Sequence, residues 1–229
     1  MSDSAVAELE SLAETRKARV KITEIFRSLQ GEARDAGWPT TFIRLTGCPL
    51  RCHYCDTAYA FHGGDWMLLD AIVDDERVRS TRHICVTGGE PLAQKACREL
   101  LARLCEQGHQ VSLETSGAMD IADIDPRVSR VVDIKTPDSG EQARNRWDNI
   151  SLLTAHDQIK FVICSAADFA WAVDIVREYQ LHQRCDVWMS PSFAQVDANQ
   201  LAQWVMDSGL PIRFQLQLHK LLWNDEPGR

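Results

Sequence analysis

Eight short apolar, β-branched runs punctuate the chain, and helical patterns separate several of them. The runs are Val20–Phe26, Thr41–Leu45, His83–Thr87, Val111–Glu114, Val131–Lys135, Gln158–Ile163, Val187–Ser190 and Ile212–Leu218. Three intervening stretches carry apolar residues at a 3.6-residue period: Pro91–Cys105, Ala166–Leu181 and Val196–Met206. Such alternation predicts an α/β fold with a mainly parallel sheet and crossover helices. Polar motifs follow the strand ends: Cys48 after Leu45, Thr87-Gly-Gly-Glu-Pro91, Glu114-Thr-Ser-Gly117, Asp133-Ile-Lys135 and Ser190-Pro-Ser192. In parallel barrels, sites assemble from the loops beyond the strands' carboxyl ends, so these five motifs predict one convergent pocket. Eight β/α units typically need about 250 residues, so 229 residues predict a partial barrel of about six strands.

Apolar content suffices for one substantial core, expected over 20–229, with 1–19 as a flexible N-terminal tail. That opening stretch is acidic and Ala-rich, without the apolar centre of a signal peptide, and no stretch approaches the roughly 20 apolar residues of a membrane span. A cytoplasmic protein with no membrane partner is therefore expected. The formal charge of -8 gives no electrostatic reason to bind nucleic acid. Of the 8 cysteines, Cys85, Cys97, Cys105, Cys164 and Cys185 sit in apolar settings and read as small core residues.

The other three crowd into Cys48-Pro-Leu-Arg-Cys52-His-Tyr-Cys55, with no fourth nearby. Electron-transfer clusters usually take four cysteines, and structural zinc four protein ligands. Three thiolates on one loop can hold three corners of a 4Fe-4S cluster and leave one iron open to a ligand. Zinc with His53 as fourth ligand, or a redox pair Cys52/Cys55, are the competing readings.

This loop, with an aromatic before its last cysteine, resembles the signature of the radical S-adenosylmethionine (SAM) superfamily. The resemblance runs from Val20 to Trp223 and implies a partial barrel of the radical SAM type. It also implies one 4Fe-4S cluster on Cys48, Cys52 and Cys55, with SAM chelated at the open iron. Reductive cleavage of SAM then gives a 5′-deoxyadenosyl radical. Thr87-Gly-Gly-Glu-Pro91 is similar to the superfamily's motif for the methionine amino group, which places Gly89 and Glu90 at SAM. The further SAM contacts implied are Tyr54, Cys55, Asp56, Ser116, Asp133, Lys135 and Ser190. Asp56 as a loop cap and an Asp133–Lys135 structural pair are the alternatives.

A narrower resemblance is to the 7-carboxy-7-deazaguanine synthase family. It rests on Phe26-Arg-Ser-Leu-Gln-Gly-Glu32, Phe42-Ile-Arg-Leu-Thr-Gly-Cys48, Cys55-Asp-Thr57 and Gln217-Leu-His-Lys220. It implies a lyase that contracts 6-carboxytetrahydropterin to a deazapurine with loss of ammonia, on the path to queuosine-type bases. Substrate contacts are implied for Leu29, Gln30, Gly31, Glu32, Arg44, Thr87 and His219, and Mg2+ binding for Thr57. Gln30 suits an amide and amidine edge, and Arg44 a carboxylate. A homodimer and a flavodoxin- or ferredoxin-type reductant are also implied. Where the family commonly has glycine after Gln-Gly-Glu, this chain has Ala33, and Asn224–Arg229 extends past the end of some members. The rivals are a radical SAM activase that places a glycyl radical on a partner protein, and a non-enzymatic metal or electron-transfer module.

Overall fold

The computed structural model describes residues 17–224 together with 226 and 228. The expected tail falls mostly in residues 1–16, outside the described residues. Arg19 already pairs with Leu68 as the first residue of β1 (Arg19–Leu29). β1 runs antiparallel to β2 (Pro39–Leu45) on one side and to the edge strand β3 (Asp65–Leu68) on the other. From β2 the sheet continues in parallel through β4 (His83–Gly88), β5 (Gln110–Thr115), β6 (Ser129–Asp133), β7 (Gln158–Ile163) and β8 (Asp186–Pro191). The two-residue β9 (Arg213–Phe214) completes the order β3-β1-β2-β4-β5-β6-β7-β8-β9. Six full parallel strands thus form the partial β/α barrel.

Strand residues alternate between two environments, as the period of two demands. Val111, Leu113, Val132, Ile159, Phe161, Ile163, Val187 and Met189 enter the single hydrophobic core. There they meet α3 (Cys97–Glu106), α4 (Ala166–Glu178) and α5 (Ala198–Asp207). Their strand neighbours face the opposite side and include the polar Glu114, Asp133, Lys160 and Ser190. Ser165 and Asp197 cap α4 and α5 by accepting from the first-turn amides, which fixes where each helix leaves its loop.

Two expectations are corrected. Pro91–Cys105 is not one helix: a short turn at Pro91–Ala93 breaks at Gln94 before α3 begins. The Gln94 side chain accepts from the Lys21 amide and donates to the Lys21 and Thr46 carbonyls, which holds its backbone extended. The run Ile212–Leu218 shrinks to β9, because Gln215 turns inward and Leu218 starts α6 (Leu218–Trp223). The sequence reading also missed β3 and the short helices α1 (Leu69–Val73) and α2 (Glu76–Arg79).

Candidate active site

The cysteine loop leaves β2 and is braced from within and from across the sheet. Arg51 donates to the Cys48 and Leu50 carbonyls at 2.8 and 2.6 Å and lies 4.2 Å from the centre of the Phe61 ring. The Arg51 amide donates to Glu141 and the His53 amide to Ser139. All three thiols are partly exposed on the cavity. Burial pushes each one up, Cys52 to about 11, and the nearby Lys135 ammonium opposes the rise. His53 is exposed and turns Nδ1 to the Asp138 carbonyl.

The glycine motif is locked onto this loop through its backbone. Gly89 and Glu90 donate to the Leu45 and Gly47 carbonyls at 3.2 and 2.8 Å. A Cβ on Gly88 would collide with the Leu45 backbone, and its φ of 153° favours glycine. A Cβ on Gly89 would meet the Gly47 carbonyl and lie 2.7 Å from the Cys48 Cβ. Glu90 lies away from the cavity: it is fully buried and accepts from the Leu92 amide, the Thr115 hydroxyl, and the Ser116 amide and hydroxyl. Its carboxyl group ties β4 to the end of β5.

Below the thiols opens a cavity of about 300 Å³. Because β1 is antiparallel, residues 30–34 cross at the amino-terminal ends of the parallel strands and form a floor. The Arg34 amide donates to Gln158, and the Ala33 amide to Gln215. Ala33 is buried with φ 62°, so an alanine here takes the left-handed turn that a glycine would enter freely. Helix α6 closes against this floor: Leu218 donates to the Gly31 carbonyl, and a Cβ on Gly31 would lie 2.6 Å from His219 Nδ1.

The walls are charged. A bulge at Ile22/Glu24 sets Glu24 opposite Arg44, and Arg44 Nε donates to Glu24 at 2.7 Å. The guanidinium also lies between the Phe26 and Tyr59 rings, and its terminal nitrogens carry no bond to the described residues. Lys160 pairs with Glu32 at 2.5 Å and stands 3.9 Å from Asp133. Lys135 pairs with Asp133 at 2.9 Å and sits 5.6 Å from the centre of the Tyr54 ring. Asp133 Oδ1 and the Tyr54 hydroxyl are buried without partners among the described residues, both in cavity-lining residues. Thr57 donates to Asp56 at 2.7 Å. Burial raises the Asp56 carboxyl, but Lys220 at 3.1 Å and that hydroxyl carry it down to about 2.

Of the residues singled out from sequence, all but two line this cavity: Leu29, Gln30, Gly31, Glu32, Arg44, Cys48, Cys52, Tyr54, Cys55, Asp56, Thr57, Thr87, Gly89, Ser116, Asp133, Lys135 and His219. Glu90 does not, nor does Ser190, whose hydroxyl accepts from Gln215; Ser192 takes its place at the wall. Sequence reasoning missed Lys160 and Tyr59, and gave no role to Glu114 and Gln217 although both stand in its motifs. Lys160 was readable by alternation: Gln158 and Lys160 are the polar partners of Ile159, Phe161 and Ile163.

The Radical SAM superfamily model matches residues 42–188. The 7-carboxy-7-deazaguanine synthase of Chlorobaculum tepidum is 39% identical over 213 residues, covering 92% of this chain and 97% of its own. The chain belongs to the 7-carboxy-7-deazaguanine synthase family. The family's member from Koribacter versatilis is 40% identical over 224 residues, covering 90% and 98% of the two chains. The crystal structure of QueE from Escherichia coli shares the fold, with a TM-score of 0.70 at 21% identity over 90% of this chain and 97% of that one. Membership makes the chain a radical SAM lyase and implies a 4Fe-4S cluster and SAM. The donor set fits both groups. No three Cys, His, Asp or Glu side chains among the described residues converge on a single ion, as zinc would need. Three thiols on one cavity wall suit one thiolate per iron, and the orphaned Asp133 Oδ1 and Tyr54 hydroxyl offer an acceptor and a donor beside them. Among the described residues no helix is long and apolar enough to cross a membrane.

Proposed function

We propose that the enzyme converts 6-carboxy-5,6,7,8-tetrahydropterin to 7-carboxy-7-deazaguanine with loss of ammonia. One observation carries the reading: a three-thiol loop and a floor of Gln30, Glu32 and His219 open onto the same cavity, with Arg44 and Thr87 between them. Once bound, the cluster and SAM supply a 5′-deoxyadenosyl radical for hydrogen abstraction from the substrate. The chain's own residues bind and orient. Arg44, held by Glu24 and two aromatic rings, presents its terminal nitrogens to the substrate carboxylate. Glu32, Gln30 and His219 read the pterin ring, and Thr87 meets it from β4. Tyr54, Asp56, Ser116, Asp133 and Lys135 hold SAM, together with the backbone around Gly89. Cys48, Cys52 and Cys55 bind the cluster.

The Thr57 hydroxyl, with Asp56 beside it, offers the hard oxygens that Mg2+ requires. Residues 20–229 act as one domain, supported by a core cluster whose buried members run from Val20 to Ile212. The enzyme works as a homodimer in the reducing cytoplasm, where its thiols stay free, and takes electrons from a flavodoxin- or ferredoxin-type reductant. Anaerobic incubation of reconstituted protein with the pterin, SAM, dithionite and Mg2+ tests the reading. Deazapurine and ammonia are expected; SAM cleavage without deazapurine would reject the substrate. Omission of Mg2+ tests the metal, and sedimentation tests the dimer.

A further inference from the structure

Lys160 is a buried cation in the cavity wall that none of the recognised motifs includes. It is 8% exposed and stands mid-strand on β7, opposite Asp133 of β6. Burying a charge is costly unless partners satisfy it, and Lys160 spends its closest contact on Glu32 Oε2 at 2.5 Å. The other Glu32 oxygen accepts from Gln217 Nε2 at 2.7 Å. Glu32 is thus pinned from both sides of the floor, yet a carboxylate has about four lone-pair sites, and these two bonds fill half.

The other charged or titratable groups facing this pair are Glu114 from β5, Asp133 from β6, Arg44 from β2, His219 from α6, and Tyr54 and Asp56 from the thiol loop. Burial pushes Glu32 up, but the Lys160 charge, with the Lys160 and Gln217 hydrogen bonds, carries it below the usual carboxylate range. Glu114, more weakly paired, is raised by burial. Remove the ammonium and two carboxyl groups share a pocket without their nearest cation, so Glu32 would take up a proton.

We propose that Lys160 is a positioning residue that keeps Glu32 an acceptor-only anion, so that Glu32 selects a heterocycle with two adjacent N–H donors. The inference rests on the pterin reading above and deepens it. An N3–H beside a 2-amino group offers that pair of donors. A 2-oxo ring puts a carbonyl where the second donor should be, facing a carboxylate oxygen. Sites built to hydrogen-bond an N–H discriminate strongly against analogues that lack it.

The test uses the reconstituted enzyme and the variants Lys160→Met, Lys160→Arg, Glu32→Gln and the double variant Lys160→Met/Glu32→Gln. Steady-state constants are measured for the pterin, its 2-oxo analogue and SAM. Wild type should prefer the pterin. Lys160→Met should raise the pterin KM by about tenfold or more, lose the preference over the 2-oxo analogue and leave the SAM KM unchanged. Its pterin KM should fall again as pH rises from about 6 to about 9 and Glu32 ionises, a trend absent from wild type. Lys160→Arg should restore the preference in part. The double variant should be no worse than Glu32→Gln alone, because the two side chains act as one unit. The double variant removes both charges of the Lys160–Glu32 pair together and leaves Glu114 facing Arg44, so this comparison stands even if Lys160→Met fails to fold. Retained preference in Lys160→Met, additive losses in the double variant, or a defect confined to SAM would overturn the proposal. Wild type that turns over the pterin beside an unaffected Lys160→Met removes this inference alone. Wild type that makes no deazapurine removes the pterin reading and the inference with it.

Discussion

Glu90 belongs to a motif read as a SAM contact, yet its side chain acts as a strut, and Glu90→Ala separates the two roles. The substitution strands two buried amides, those of Leu92 and Ser116, and two hydroxyls, those of Thr115 and Ser116. The hydroxyls can rotate to other acceptors; the amides cannot. At about 1.5 kcal/mol per stranded buried amide, and about 1 kcal/mol for the space left behind, the loss is about 4 kcal/mol. For a protein of this size each kcal/mol lowers Tm by about 2–4 °C, so a fall of roughly 8–16 °C is expected. The assay is anaerobic thermal unfolding by circular dichroism without SAM, on samples matched for iron. Glu90→Gln, which keeps one acceptor oxygen and the volume, should lose less than half as much. A Tm for Glu90→Ala within about 2 °C of wild type (less than 1 kcal/mol on the same scale), alongside loss of SAM binding, would refute the strut and restore the carboxylate as a ligand.

Further expectations concern the thiol loop and the floor. Serine at Cys48, Cys52 or Cys55 should abolish the cluster's visible absorbance and SAM cleavage while far-ultraviolet dichroism is unchanged. In the metal-free protein, burial holds the Cys52 thiol up at about 11, so only about one molecule in 10,000 is thiolate at pH 7. Its alkylation rate, resolved by mass spectrometry, should therefore climb about tenfold per pH unit towards that value; a plateau near the ordinary thiol range would contradict the burial argument. Gly89→Ala must displace the Gly47 carbonyl and Cys48, and should lower iron content on reconstitution, measured by iron and sulfide assay. Ala33→Gly relieves a left-handed alanine and should stabilise the fold by about 1 kcal/mol in urea titration.

Most of the strand order was legible because apolar alternation and polar strand ends are local signals. Gln158–Ile163 was read with its observed bounds, and the gap after Leu45 located the cluster loop. β3 was not legible: Asp-Trp-Met-Leu has no alternation, and pairing with β1 alone makes it a strand. The break at Gln94 was hidden too, since it depends on carbonyls more than forty residues away in sequence. In the site, types and neighbourhoods were readable but the direction of a side chain was not. Glu90 reads as a SAM contact from its motif, and only the folded end of β5 shows what its side chain serves. Lys160 shows the converse: the chain's own alternation pointed it inward, but no motif marked it.

The floor and its closing helix come from opposite parts of the chain. Glu32 meets Gln217 across a separation of 185 residues, and Ala33 meets Gln215 across 182, whereas the thiol loop and Gly88–Glu90 lie on neighbouring strands. Synthesis at about 5–20 residues per second separates the emergence of Glu90 from that of Gln217 by roughly 10 s. For that interval a nascent chain carries all three loop thiols without the helix that closes the floor. The thiols are made first and the loop's braces at Ser139 and Glu141 midway, while recognition of the heterocycle waits for the last helix, so the two abilities arise at different moments in the life of each molecule.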